Sequence, residues 1–230
     1  ALSVASRAIS TFSPLPAFSG IKIDAKEDCL ILTGSDSDVS IQTKLTKSEE
    51  CVLEIRDMGS IVIEAKYILE IVRKIDADEI EFEMIDGSLT KISGNTAEFR
   101  INGMRANEYP AIDFSKPKEC FALKEETLKK VILQTSFATS DKETRPVLTG
   151  VNFHCEGNTL HCVATDSYRL AKKTIDISES LNFNITIPAK SLSEVVKTLE
   201  GEGEVEIAVN DKKAQFIIHD TIVQTRLIDG

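Results

Sequence analysis

Ala164-Thr165-Asp166-Ser167-Tyr168-Arg169-Leu170-Ala171, together with the preceding turn Arg145-Pro146-Val147-Leu148-Thr149-Gly150, has an earlier counterpart in the same chain. Pro16 to Gly20 falls on Pro146 to Gly150, since 150 less 20 is 130, and Ser35-Asp36-Ser37 falls on Thr165-Asp166-Ser167 at the same offset. Ala65-Lys66 falls on Ala189-Lys190 at an offset of 124, each after an apolar run and each opening a helix; Glu79 to Phe82 falls on Glu204 to Ile207 at 125. Self-similarity at a nearly fixed spacing marks a repeated structural unit. Four matched segments in one order therefore predict two α+β copies in tandem, with offsets that drift through loop length.

The periodicity around these anchors fills in each copy. Leu2, Ala5, Ala8 and Ile9 lie on one helical face, with Ser3, Ser6, Arg7 and Ser10 elsewhere and Pro14 and Pro16 ending the helix. Ile21–Ile23, Cys29–Thr33, Val39–Lys44, Val52–Ile55 and Ile61–Ile63 read as strands, with turns at Lys26 to Asp28 and Gly34 to Asp36. From Ala65 to Ile75, helical spacing puts Ala65, Ile68, Leu69, Val72 and Ile75 inside, and Lys66, Glu70, Arg73 and Lys74 outside. Glu79 to Met84 alternates strictly, predicting a half-buried strand with an acidic outer face, and Lys91–Ser93 and Ala97–Ile101 continue the meander.

Glu108-Tyr109-Pro110-Ala111 and Ser115-Lys116-Pro117-Lys118 read as a linker, giving domains 1–114 and 115–230. The second copy opens with a strand at Cys120–Leu123. A helix from about Glu125 to Ser136 then buries Leu128, Val131, Ile132 and Thr135 and presents Glu126, Lys129 and Lys130. In its later helix Ala189, Leu192, Val196 and Leu199 are expected inside, and Lys190, Glu194 and Lys197 outside. The first copy lacks a counterpart of the Cys120–Leu123 strand, so the chain is expected to be a fragment of a longer protein that contains another copy.

Composition narrows the function. With 42% hydrophobic residues, 28% charged residues and no Trp, the chain can fill a core and shows no bias toward disorder. A net charge of −10 excludes a surface that grips nucleic acid all over, while leaving room for a local basic face. The five cysteines are odd in number and lack CxxC spacing, which reads as reduced core thiols of a cytoplasmic protein. No apolar run reaches the roughly 20 residues of a membrane helix.

Thr144-Arg145-Pro146-Val147-Leu148-Thr149-Gly150, Ala164 to Ala171 and the linker Ala106-Asn107-Glu108-Tyr109-Pro110-Ala111-Ile112 resemble the bacterial DNA polymerase III beta subunit family, the sliding clamps. The resemblance covers essentially the whole chain, including its duplication. It implies a DNA clamp fold: a homodimeric ring with three similar domains per subunit, helices lining the hole and sheets outside. This chain would supply the first domain, short of its beginning, and the second. The implied partners are duplex DNA, held without sequence specificity, and the clamp loader and DNA polymerases, which dock through linear peptides. Carried over residue by residue, the peptide groove comprises Leu148, Thr165, Ser167, Tyr168, Arg169 and Leu170, with Arg145, Pro146 and Val147 at its edge. Leu148 and Leu170 would form an apolar floor, Tyr168 a wall, and Thr165 and Arg169 polar anchors.

The helices' outer faces agree with a basic lining that tolerates DNA inside an otherwise acidic body. The candidates are Arg7, Lys66, Arg73, Lys74, Lys129, Lys130, Lys190 and Lys197. Taken alone, these residues also read as ordinary solvated helix faces, and Thr165 to Leu170 as a turn entering a strand. The first copy keeps the Asp of that turn but has Asp38-Val39-Ser40 in place of Tyr-Arg-Leu, so Asp36 and Asp166 are expected to cap a shared turn and the triplet to be specialised.

No catalytic constellation emerges. Gly34 to Asp38 lacks the ligand spacing of a calcium loop, His154, His161 and His219 lack a zinc pattern, and no phosphate loop or nucleophile elbow is present, so no cofactor or metal is expected. The rival to a clamp is a repeat-built interaction scaffold that does not bind DNA.

Overall fold

The structure is a computed structural model and describes residues 1–9, 15–49 and 51–229; Ser10 and Pro14, assigned above to a helix face and a helix end, lie outside them. The chain divides into two compact units, Ala1–Asp113 and Phe114–Gly230. Phe114 belongs with the second because its carbonyl accepts a 3.0 Å hydrogen bond from Nε2 of Gln215, a fully buried side chain of that unit.

The first unit begins with a short helix, α1 (Leu2–Ala5), running into a 3-10 turn at Ser6–Ala8; Ala5 and Ala8 face inward. A second 3-10 turn, Pro16–Ser19, feeds β1 (Gly20–Ala25), followed by β2 (Cys29–Ser35), β3 (Val39–Thr46) and β4 (Gly59–Glu64). Helix α2 (Ala65–Lys74) leads to a three-stranded meander, β5 (Glu81–Asp86), β6 (Leu89–Gly94) and β7 (Ala97–Asn102), and then β8 (Met104–Arg105). All pairings are antiparallel: β8-β4-β1-β2-β3 in one sheet, β5-β6-β7 in another. Ile21, Leu32, Ile63, Ile68 and Ile92 join both sheets and α2 in one core, as period-two strands and a period-3.6 helix require. A second cluster packs the Phe18 ring edge-on against Tyr109, at 5.5 Å.

The second unit repeats this plan. Strand β9 (Glu119–Lys124) enters α3 (Glu125–Thr135), a 3-10 turn spans Ser136–Ala138, and a further one at Pro146–Thr149 feeds β10 (Gly150–Thr165). Strand β11 (Leu170–Pro188) pairs along the length of β10 and enters α4 (Ala189–Thr198); β12 (Glu204–Val209), β13 (Lys213–Ile218) and β14 (Thr221–Arg226) follow, in the order β14-β13-β12-β9. In α3, Leu128, Val131, Ile132 and Thr135 are buried as the spacing predicts. Burial stabilises each of the three apolar side chains by roughly 1.5–3 kcal/mol.

The repeat is written in the backbone. Gly20 and Gly150 both open a strand directly after a Pro-initiated 3-10 turn, opposite Glu64 and Pro188, the residues that enter α2 and α4. A Cβ on Gly150 would lie 2.6 Å from the Ile187 carbonyl, and one on Gly20 2.6 Å from Val62, so neither position accepts a larger residue unmoved. The fall in offset from 130 to 124 lies between these landmarks. In the first unit, residues 47–49 and 51–58, between β3 and β4, lie in no strand, whereas in the second β11 runs unbroken through the shorter matching stretch.

Several expectations are corrected. Val52–Ile55 is not a strand; it belongs to that stretch between β3 and β4, and Val52 is exposed. Gly34 and Ser35 lie in β2, and the turn is Asp36 to Asp38. On α4 the inward face is Ser191, Leu192, Glu194 and Val195, rotated from the predicted one because Glu194 is itself buried and draws Lys197 to 2.7 Å. Strand β5 starts at Glu81 and is exposed throughout rather than half-buried. Its register still follows the sequence overlay, because Phe82 pairs with Ile92 as Ile207 pairs with Phe216.

Candidate functional site

The turn between β10 and β11 is built by its own side chains. Asp166 Oδ1 accepts the backbone N–H of Tyr168 at 2.9 Å and of Arg169 at 3.0 Å. Thr165 Oγ1 accepts the N–H of Ser167 at 3.1 Å and donates to the Arg169 carbonyl at 2.7 Å. Ser167 takes a positive φ of 79° to close the turn. These amides, with the Arg169 guanidinium beside them, hold the Asp166 carboxyl below the usual carboxylate range. The Thr165 hydroxyl is therefore engaged by the turn, bonded to backbone groups on both its donor and acceptor sides.

With the backbone bonded in this way, the turn presents its middle to solvent: Tyr168 is 96% exposed and Leu170 66%. Arg169 Nε lies 3.0 Å from Asp166 Oδ2, and its guanidinium carbon sits 5.7 Å from the centre of the Phe137 ring. Beside the turn lies a cleft of about 230 Å³ lined by Ser140, Lys142, Thr144, Arg145, Leu148, Asp166, Ser167 and Tyr168. Arg145 Nη1 donates to Ser167 Oγ at 3.3 Å, and the Ser140 amide donates to the Leu148 carbonyl at 2.8 Å, tying the loop before the Pro146 turn to the site. Val147 is exposed and Leu148 half-buried. The cleft thus gathers Arg145, Leu148, Ser167 and Tyr168 from the predicted set. Pro146, Val147, Thr165, Arg169 and Leu170 do not line it.

Sequence reasoning missed Ser140, Lys142, Thr144 and Phe137. The loop residues carry no periodic signal. Phe137 had one, because it lies off the apolar face of α3 and overlays Arg7 at the 130-residue offset.

The basic candidates lie on helix surfaces within each unit. Lys66, Arg73 and Lys74 are exposed on α2, Lys129 and Lys130 on α3, and Lys190 and Lys197 on α4, while Arg7 is half-buried in the 3-10 turn after α1. Several are tied to local acids: Lys66 to Glu64 at 2.8 Å, Lys74 to Glu70 at 3.3 Å and Lys130 to Glu126 at 2.6 Å. Exposed pairs of this kind are weak and exchange readily for another anion. Among the described residues no group of three His, Cys, Asp or Glu side chains is gathered as metal ligands. Among the described residues no helix is long and apolar enough to cross a membrane.

A tandem pair of α+β units, each with antiparallel sheets and surface helices that carry cations, is the DNA clamp fold. Residues 1–113 match the family described as DNA polymerase III beta subunit, N-terminal domain, and residues 122–230 the one described as DNA polymerase III beta subunit, central domain. The chain belongs to this family of bacterial sliding clamps. It is 40% identical over 232 residues to the beta sliding clamp of Halalkalibacterium halodurans, covering 98% of this chain and 61% of that one. Identity to the beta sliding clamp of Bacillus subtilis is 40% over 229 residues, with coverage of 97% and 61%. The crystal structure of the Bacillus subtilis DNA polymerase sliding clamp superposes with a TM-score of 0.96 at 36% identity, over all of this chain and 62% of that one. The beta chain of DNA polymerase III from Streptococcus pneumoniae gives a TM-score of 0.94 at 31% identity, over 100% of this chain and 62% of that one. The chain thus spans about three fifths of the length of its relatives.

Proposed function

We propose that the protein is a processivity factor, a non-catalytic bacterial sliding clamp that encircles duplex DNA in the cytoplasm and tethers polymerases, the clamp loader and repair proteins by their linear peptides. The observation that carries the peptide role is the exposed Tyr168-Arg169-Leu170 triplet beside a cleft, on a turn whose scaffold recurs in the first unit without the triplet. Tyr and Arg lead among residues that dominate binding energy at interfaces. A turn stiffened by four internal hydrogen bonds keeps them from losing much freedom on docking. The two units read as clamp domains 1 and 2.

For DNA, the supporting feature is the concentration of cations on α2, α3 and α4 of a chain with net charge −10. Phosphate contacts that displace weak local ion pairs are sequence-blind and easily broken, so the ring retains the duplex by topology while sliding. In the full-length homodimer, closure would fall to surfaces such as the β7 edge, whose outer side has no strand partner among the described residues and where Phe99 is 38% exposed.

Two variants of the full-length protein test the halves separately. Tyr168→Ala with Arg169→Ala abolishes binding of a polymerase tail peptide in fluorescence anisotropy and leaves DNA retention intact; unchanged peptide affinity would sink the groove assignment. Lys66→Glu, Arg73→Glu and Lys197→Glu together weaken DNA association and flatten its salt dependence by about 0.9 in log–log slope for each phosphate that is no longer neutralised. Normal loading, sliding and salt dependence in that variant would sink the assignment of these residues to the DNA lining.

A further inference from the structure

We infer that Phe137 is a positioning residue of the docking site, holding the Arg169 guanidinium in the orientation that meets a bound peptide; the inference rests on the peptide-groove reading above. The 3-10 turn Ser136–Ala138 seats Ala138 in the core and turns Phe137 outward, 58% exposed, although a large apolar ring gains nothing from that placement in folding. The ring lies under Arg169, 5.7 Å from ring centre to guanidinium carbon, while Arg169 Nε lies 3.0 Å from Asp166 Oδ2. A guanidinium is thus held by a carboxylate at its Nε edge and by an aromatic face, an arrangement that favours a planar cation over an ammonium.

The first unit supplies an internal control. Its 3-10 turn Ser6–Ala8 has the same form, with Ala8 buried, and carries Arg7 where the second unit has Phe137. At the Arg169 position it carries Val39, 2% exposed. The cation and the apolar side chain have exchanged places between the copies, so the scaffold requires neither Phe at the 3-10 turn nor Arg at the end of the Asp turn. The stacked pair belongs to what the second copy does. A free arginine would lose rotamer entropy on docking; Phe137 and Asp166 remove part of that loss beforehand.

The test is a double-mutant cycle in the full-length protein, read by anisotropy of a fluorescein-labelled peptide copied from the clamp-binding tail of the same organism's replicative polymerase. Phe137→Ala and Phe137→Leu are expected to weaken binding about 2- to 5-fold, the range of an exposed cation–π contact. Phe137→Tyr restores it, and Phe137→Ala adds nothing in an Arg169→Ala background. Melting temperatures of the Phe137 variants should stay near that of the parent, given the ring's exposure. Wild-type affinity in Phe137→Leu, or additive losses in the double variant, would overturn the positioning role while leaving the groove intact. Wild-type affinity in Arg169→Ala would overturn both.

Discussion

The two copies of one turn differ in what they carry and agree in how they are held. In the first unit Asp36 Oδ1 accepts the amides of Asp38 and Val39 at 3.0 and 2.9 Å; in the second Asp166 Oδ1 accepts those of Tyr168 and Arg169 at 2.9 and 3.0 Å. Ser35 and Thr165 hydroxyls both donate to a carbonyl four residues on, and Ser37 and Ser167 share a positive φ, 85° and 79°. The comparison changes how the strain at Ser167 is read. Positive φ at a non-glycine residue often marks a functional site, but here its twin sits in a copy without the recognition triplet, so the strain belongs to the fold. On the groove reading proposed above, function resides in the side chains at the next three positions.

The largest expected effect comes from exchanging those positions. Replacing Tyr168, Arg169 and Leu170 by the residues of the first copy (Tyr168→Asp, Arg169→Val, Leu170→Ser) should lower affinity for a polymerase tail peptide more than about 100-fold, since two or three interface anchors are removed at once. The turn itself should persist, because its hydrogen bonds come from Thr165, Asp166 and the backbone. Retained peptide binding, measured by anisotropy on the full-length protein, would mean that the two copies differ in sequence without differing in role.

The meanders offer a second contrast. Val205 and Ile207 of β12 are fully buried, while Phe82 and Met84 of β5, on the equivalent face, are 38% and 48% exposed. Strand β12 is flanked by β13 and β9, whereas β5 pairs only with β6 among the described residues. Ile207→Ala should cost about 2–5 kcal/mol in urea unfolding, the range for deleting a buried branched side chain. Phe82→Ala should cost less although the ring is larger. If in the full-length protein Phe82→Ala costs as much as Ile207→Ala, another strand covers β5 there, and the contrast between the units disappears.

The legibility of the chain follows the same division. Helix α2, the core face of α3 and most of the strands were readable because periodic burial leaves a periodic sequence, and the duplicated turns because Pro, Gly and Asp are required by backbone geometry. Val52–Ile55 misled because four apolar-rich residues signal a strand only when something pairs with them. Polar burial was not readable either. Glu125 opens α3 as an ordinary acidic first-turn residue, yet it is fully buried, accepts the amides of Glu200 and Gly201 at 2.7 Å each and faces His219 Nε2 at 3.0 Å. Its partners lie 75 and more positions away, beyond any window of local pattern. Of the proposed docking site, Tyr168 to Leu170 came from the family resemblance, and comparing the copies set them apart from the shared turn. The loop residues Lys142 and Thr144, and the placement of Arg169 over Phe137, arise only once the turn before β10 is folded against the turn before β11.

The smallest expected effect isolates the scaffold itself. Asp36→Ala and Asp166→Ala each remove the acceptor for two turn amides and should each lower the melting temperature by about 2–4 °C. Only Asp166→Ala should also weaken peptide binding, because Arg169 then loses its carboxylate partner. The pH dependence gives an independent reading of Asp166. Its carboxyl titrates below the ordinary value of 3.8 in the folded chain, held there chiefly by the Tyr168 amide and then by that of Arg169. A group whose folded pKa is depressed contributes stability that is complete above its unfolded pKa and is lost as pH falls through the folded one. The melting-temperature gap between the parent and Asp166→Asn should therefore be flat from pH 8 to about pH 5 and close below about pH 4. No gap even at neutral pH would show that the turn needs an oxygen at this position but not its charge. In that case the two copies would be joined by shape alone, and the carboxylate of Asp166 would serve Arg169 only.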